Sequence, residues 1–349
     1  MAFKHTVFSA GIGALAATGA DRWLRLFARG CGLILMLHHV RPQRPREFAP
    51  NQVLEITPDF LEFALVELLH EGFELIQLDA VPERLQSGSA NRPFAVLTFD
   101  DGYRDNVEHA WPVLRRHNAP WTVFVATDFL DGNGRLWWLE LEDAISRLDK
   151  VSLSVGGALI ALPARTPLEK QHAFEVFHRK LRAAPEHELE SATAALAALA
   201  GVDPRRLVRE SCLGWDEVQD LAREPDVCIG AHGISHPVLA KCDRVTAMRE
   251  IGESKAHLER RLGKPVRHLA YPFGDPGAVG AREFDLARQA GYLTAVTTRP
   301  GHLFREHSSH LHELPRVSLN GLFQSEMAFR SLLSGVPFWI WNRRRVVTR

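Results

Sequence analysis

The chain has 349 residues, and 42 lysines and arginines balance 42 aspartates and glutamates, so its formal net charge is zero. Such a neutral chain implies no nucleic-acid partner. With 46% hydrophobic and 24% charged residues it has the makings of a large core, which excludes a disordered protein, and no apolar run approaches the eighteen or so residues of a membrane-spanning helix.

At the N-terminus Lys4 precedes an apolar run from Thr6 to Ala20 that ends in small residues, a weak likeness to a signal peptide. The run continues into Trp23, Leu24, Leu26 and Phe27 with Arg22, Arg25 and Arg29 between them, spaced for an amphipathic helix lying on a domain. Residues 1–30 therefore read as an N-terminal helical segment. The apolar run Leu33–Leu37 follows as a strand, and Thr57-Pro58-Asp59 opens a helix through Phe60 to His70 that Gly72 stops. Phe94–Phe99, Thr122–Val125, Val227–Gly230 and Thr294–Thr298 are further short apolar runs, the pattern of strands buried on both faces. Helical patterns at 104–118, 244–262 and 281–290 separate them, and repeated β-α units of this kind give a parallel sheet, open or closed into a barrel.

Residues of about 131–211 break that rhythm, with a hairpin expected at Gly156-Gly157 and helices at 168–183 and 186–200. They read as a mainly helical insertion in a domain of residues 31–320. Beyond it, residues 321–349 form a C-terminal helix and basic tail, in which Trp339 and Trp341 precede Arg343, Arg344 and Arg345. Aromatics beside cations suit either a docked helix with a solvated tail or peripheral contact with an anionic membrane. The four cysteines, Cys31, Cys212, Cys228 and Cys242, form no Cys-x-x-Cys pair, and a reducing, cytoplasmic setting fits them best.

Chemistry concentrates where strand patterns end. Asp100 and Asp101 close the run Phe94–Phe99, and adjacent residues point to opposite faces, so the two acids can take different roles. A plain Asp-Asp-Gly turn that caps the next helix is the alternative. His232 and His236 follow Val227–Gly230 and, with Asp101, would hold a divalent ion with open positions for water, leaving Asp100 as the base. His38-His39 ends the first run, and one of the pair could act as a general acid. Tyr271 with its neighbouring amides could steady an oxyanion, and Arg316 could orient a carboxylate. Trp137 and Trp138, at the mouth of the insertion, could be sugar-stacking platforms or core.

In this order, Thr98-Phe99-Asp100-Asp101-Gly102 followed about 130 residues later by His232-x-x-x-His236 resembles the polysaccharide deacetylase family, also called carbohydrate esterase family four or the nodulation protein B homology domain. The resemblance spans residues 33–316 apart from the insertion. It implies a distorted (β/α) barrel of about seven parallel strands, and a metal-dependent hydrolase, most commonly with zinc, that removes N- or O-acetyl groups from a polysaccharide, oligosaccharide or glycolipid. It also implies Asp100 as base, Asp101, His232 and His236 as metal ligands, and a backbone amide near Tyr103 at the oxyanion. Leu37-His38 is similar to an element of the biofilm-polysaccharide branch in which a histidine is the acid, which favours His38 over His39. Three departures stand out: Gly233 replaces the usual Ser or Thr, Ala270-Tyr271-Pro272-Phe273 lacks the family's arginine, for which Arg316 is the expected substitute, and the later Leu-x-His acid element is not evident. A catalytically silent glycan-binding protein of the same fold, or a hydrolase of a non-sugar amide, are the alternatives. Oligomeric state is not legible.

Overall fold

The five apolar runs, joined by two further segments, pair side by side as parallel strands: β1 (Gly32–Leu37), β2 (Phe94–Phe99), β3 (Trp121–Val125), β4 (Val227–Ala231), β5 (His268–Ala270), β6 (Thr294–Pro300) and β7 (Leu314–Ser318). The structure, a computed structural model, describes residues 20–87 and 92–347, so the signal-peptide-like run lies outside the described residues except for Ala20. β1 pairs with β2 along its whole length and with β7 through Leu35 and Val317, which closes the ring in the order β1-β7-β6-β5-β4-β3-β2. This is the distorted (β/α) barrel of seven strands that the resemblance implied. All six residues of β1 and of β2 are buried, because one face meets the barrel axis and the other meets the helices.

Side-chain alternation then sorts the strands into two layers. Ile34, Val96, Phe124, Ala270, Val296 and Leu314 fill the interior, while Leu33, Leu35, Leu97, Val123, Leu269 and Val317 pack outward under the helices. Gly230 makes room for the interior ring of Phe124; a Cβ there would lie 2.4 Å from it. Carried past the strand ends, the interior parity falls on His38, Asp100 and His232, and within β7 on Arg316. The opposite parity falls on His39 and Tyr271.

The helices start and stop for local reasons. After α1 (Ala20–Ala28), α2 (Pro58–His70) is capped by Thr57, whose side chain accepts from Phe60 N at 3.1 Å. The expected helix at 104–118 instead opens with a π-turn over Asn106–Ala110 and turns regular at Trp111–Arg116. Pro112 cannot donate a backbone hydrogen bond, so the ladder shifts there. In the insertion, α3 (Trp137–Arg147) leads to a hairpin, Lys150–Val155 with Ala158–Pro163, and then to α4 (Pro167–Ala183) and α5 (Glu186–Ala200). Phe174, Phe177, Leu181, Leu189 and Leu196 give this segment its own core, continuous with Tyr103 of the barrel loop. Farther on lie α6 (Arg244–Leu262) and α7 (Val336–Trp341). No described helix is long and apolar enough to cross a membrane, and all four cysteines are free thiols.

His302 and His307 are buried, and burial pushes each imidazole down to about 4 from 6.5. The unfolded chain therefore takes up protons below about pH 6.5 that the folded chain refuses until about pH 4, and stability falls across that window. The melting temperature is expected to drop as pH is lowered from 6.5 towards 4; a constant value across that range would contradict this accounting.

Candidate active site

At the C-terminal rim of the barrel the loops after β2 and β4 face each other. Asp101 sits in the left-handed region (φ 68°) and His236 likewise (φ 63°), turns that aim both side chains at one point. Asp101 Oδ1 lies 3.4 Å from His232 Nε2 and 3.3 Å from His236 Nε2, and all three residues are buried. Two ligands each about 2.0–2.1 Å from a tetrahedral ion stand about 3.4 Å apart, so the spacing fits a metal rather than direct hydrogen bonds. Asp101 Oδ1 accepts no hydrogen bond within the protein, an orphaned buried acceptor that a cation would satisfy. His232 Nδ1 is 2.7 Å from the carbonyl of Ala270, to which it donates when Nε2 is left bare as a ligand. Burial alone would raise the Asp101 carboxyl, but the two imidazoles facing it hold it well below the usual carboxylate range. Burial pushes His236 down to about 3, whereas Asp101 and Asp100 outweigh burial at His232 and pull it up.

Among the described residues two other groups of ligand-type side chains come together, Asp79 with Cys228 and His268, and Glu67 with His70 and Glu71. Arginines already neutralise their carboxylates: Arg267 pairs with Asp79 at 3.1 Å, Arg330 with Glu67 at 2.7 Å, and Arg25 with Glu71 at 3.3 Å. The Asp101 triad has no such cation.

Asp100, next to the triad, is gripped by Arg316 through both carboxylate oxygens, at 2.7 and 2.6 Å. Arg316 is 1% exposed, and its remaining donors reach the carbonyl of Thr297 at 2.9 Å and Thr98 Oγ1 at 3.1 Å. Burial would raise the Asp100 carboxyl, but the guanidinium wins and keeps it below its ordinary value. A buried, ionised carboxylate beside a metal cradle can take a proton from a water molecule.

The remaining sequence-derived residues divide cleanly. His38 continues the interior parity of β1; burial lowers its imidazole, against the upward pull of Asp101 and Asp100. His39 points away, with Nδ1 2.7 Å from Asp105 and its ring stacked on Tyr103 at 3.6 Å. Tyr103 is buried beside the triad, and its hydroxyl accepts from Trp138 Nε1 at 3.1 Å. Tyr271 is not brought into the site: on the outward parity of β5, its hydroxyl donates to the carbonyl of His312 at 2.9 Å and its backbone amide to Val296. The oxyanion reading of Tyr271 is thereby corrected. Trp137 and Trp138 are buried and offer no sugar platform: the Trp138 ring, 5.2 Å from His236, walls the loop that carries this histidine, and Trp137 stacks on His178 of the insertion at 4.9 Å.

One residue that sequence reasoning missed is Glu250, on α6. Its buried carboxylate accepts from the amides of Ile234 at 2.7 Å and Ser235 at 3.0 Å and from Ser235 Oγ at 2.9 Å, and so braces the loop between the two histidines. Gly233 has φ 80°, and a Cβ there would come within 3.3 Å of Glu250 Oε2. Glycine therefore accompanies this brace, which does the steadying that the usual Ser or Thr would supply. Nothing in the sequence marks Glu250 among the acids of α6. Glu250→Ala is expected to weaken metal affinity by about 10–100-fold, as read by chelator competition, because the loop loses its outer support; unchanged affinity would contradict the bracing role.

The fold and the triad can be set against known proteins. The Streptococcus pyogenes deacetylase PplD, solved in complex with acetate, superposes with a TM-score of 0.57 at 18% identity, over 86% of this chain and 97% of that one. A polysaccharide deacetylase from Bacillus cereus gives 0.52 at 17% identity, over 85% and 68%, and IcaB from Ammonifex degensii gives 0.51 at 15%, over 87% and 97%. At such identities the likeness speaks for the fold. No curated protein matches the chain. The profile of the polysaccharide deacetylase family, however, matches residues 87–295, a stretch that holds both the Asp100-Asp101 and the His232–His236 elements. Since that is more than half of its length, the chain belongs to the polysaccharide deacetylase family, hydrolases of carbon–nitrogen bonds other than peptide bonds.

Proposed function

We propose that the protein is a metal-dependent deacetylase that hydrolyses N-acetyl groups of a polysaccharide, oligosaccharide or glycolipid. The observation that carries this reading is the buried Asp101–His232–His236 cradle beside an arginine-clamped Asp100. Asp101, His232 and His236 would hold a divalent ion, and two imidazoles with one carboxylate suit zinc. When bound, the ion polarises the acetyl carbonyl and lowers the pKa of water. Asp100, kept ionised by Arg316, accepts the proton of the attacking water. His38, just past the end of the neighbouring strand, passes the proton taken from that water on to the departing nitrogen, and the backbone amide near Tyr103 donates to the developing oxyanion. The walls of Trp138, Phe129 and Phe273 around His236 keep bulk water from the cradle.

The decisive experiment is acetate release from N-acetylglucosamine oligomers by the protein as isolated, after chelation, and after zinc is returned. Activity is expected to vanish on chelation and return with zinc, and His38→Ala is expected to lose about 100-fold or more with its metal content unchanged. Acetate release indifferent to chelation would overturn the metal-dependent reading. A bound metal without acetate would point to a non-sugar amide, and neither metal nor acetate to a silent fold.

A further inference from the structure

The two ends of the described chain meet on one surface. α1 exposes Trp23 (79%), Leu26 (78%) and Phe27 (72%), whereas Ala28 is buried against the domain. α7 packs on α1 and exposes Ile340 (53%) and Trp341 (44%). Their approach is close: a Cβ on Gly335, which caps α7, would lie 2.4 Å from the carbonyl of Ala28. Three large apolar side chains of α1 and the exposed parts of two on α7 thus face water on two adjoining short helices. A folded chain rarely leaves so many together without something to cover them.

Charge identifies the cover. Immediately after α7 come Arg343, Arg344 and Arg345, all exposed, and from Val336 to Arg349 the sequence holds four arginines and no acid. This basic turn is held in place: Asn342 donates to the carbonyl of Pro300 at 2.8 Å, the amide of Arg344 donates to Trp339 at 2.8 Å, and the Arg344 guanidinium lies 4.8 Å from the Trp339 ring centroid. Ahead of α1, residues 6–20 form an apolar run without a single charge. A protein partner would be expected to answer such a surface with matched acids at fixed positions, but tryptophan and phenylalanine beside unopposed arginines match the boundary of an anionic bilayer, where rings sit at headgroup depth and guanidiniums meet phosphates.

We propose that α1 and α7 together form a docking surface for an anionic lipid membrane, which would hold the barrel against a lipid surface. This inference stands apart from the deacetylase reading and survives or fails without it.

The test is co-sedimentation of the full chain with vesicles of phosphatidylcholine alone and of phosphatidylcholine with phosphatidylglycerol. Binding is expected only to the anionic vesicles and is expected to weaken as salt rises. Replacing Arg343, Arg344 and Arg345 together by Gln should weaken it by about 100-fold. The pair Trp23→Asp and Phe27→Asp should abolish it, with melting temperatures near wild type as the check on folding. Equal sedimentation with neutral vesicles, or none with either, would overturn the proposal, and the wild-type chain alone decides this if a variant fails to fold. So would a dimer, seen by sedimentation velocity, that the Trp23→Asp and Phe27→Asp pair dissolves while vesicle binding is unaltered, because the patch would then be an interface between copies.

Discussion

Asp100→Asn is expected to slow acetate release by about 10²–10⁴-fold, the range of a lost general base. Asparagine keeps the shape and can still accept from Arg316, but it cannot take a proton from water. The three cradle residues are untouched, so metal content should match wild type, and that separates loss of the base from loss of the metal. A variant with full metal and a rate within a few-fold of wild type would remove Asp100 from the mechanism.

Arg316→Met should damage the protein in a second way. It leaves the Asp100 carboxylate buried without its cation, and breaking a buried pair from one side costs about 3–5 kcal/mol. For a chain of this size that is a fall in melting temperature of roughly 4–7 °C. Activity should fall as well, since the carboxylate is no longer held towards the cradle. The double variant Asp100→Leu with Arg316→Met removes both charges from a site lined by Phe124 and Thr98 and is expected to regain most of the stability while staying inactive. A single Arg316→Met variant as stable as wild type would show that the pair adds nothing to the fold.

The clamp also accounts for one of the departures from the family pattern. The element after β5 lacks its arginine, yet Arg316 reaches Asp100 from β7, two strands round the ring by way of β1. Its guanidinium lies on the axis because residues 314 and 316 share the interior parity. The route is available only because the sheet closes; without the β1–β2 pairing, β2 would lie at one edge and β7, beside β1, at the other side of the sheet.

The amino-acid sequence by itself determined the strands, through short apolar runs buried on both faces, and many of the helix ends, through caps such as Thr57-Pro58 and stops such as Gly72. It also determined that Asp100, Asp101, His232 and His236 fall at strand ends, because strand patterns and loop residues are local properties that neighbours in the chain specify. Tertiary structure alone decided which of His38 and His39 faces the axis, that Tyr271 turns outward to His312, that Trp138 is a wall, and that Glu250 braces the loop between His232 and His236 from fifteen residues beyond Ser235. The first two depend on the two-residue alternation of a strand set in a closed ring, and the last two on how α3 and α6 pack beside the rim loops. Parity fixes which face a side chain takes, but only closure brings residues as far apart in the chain as Asp100 and Arg316 to one point.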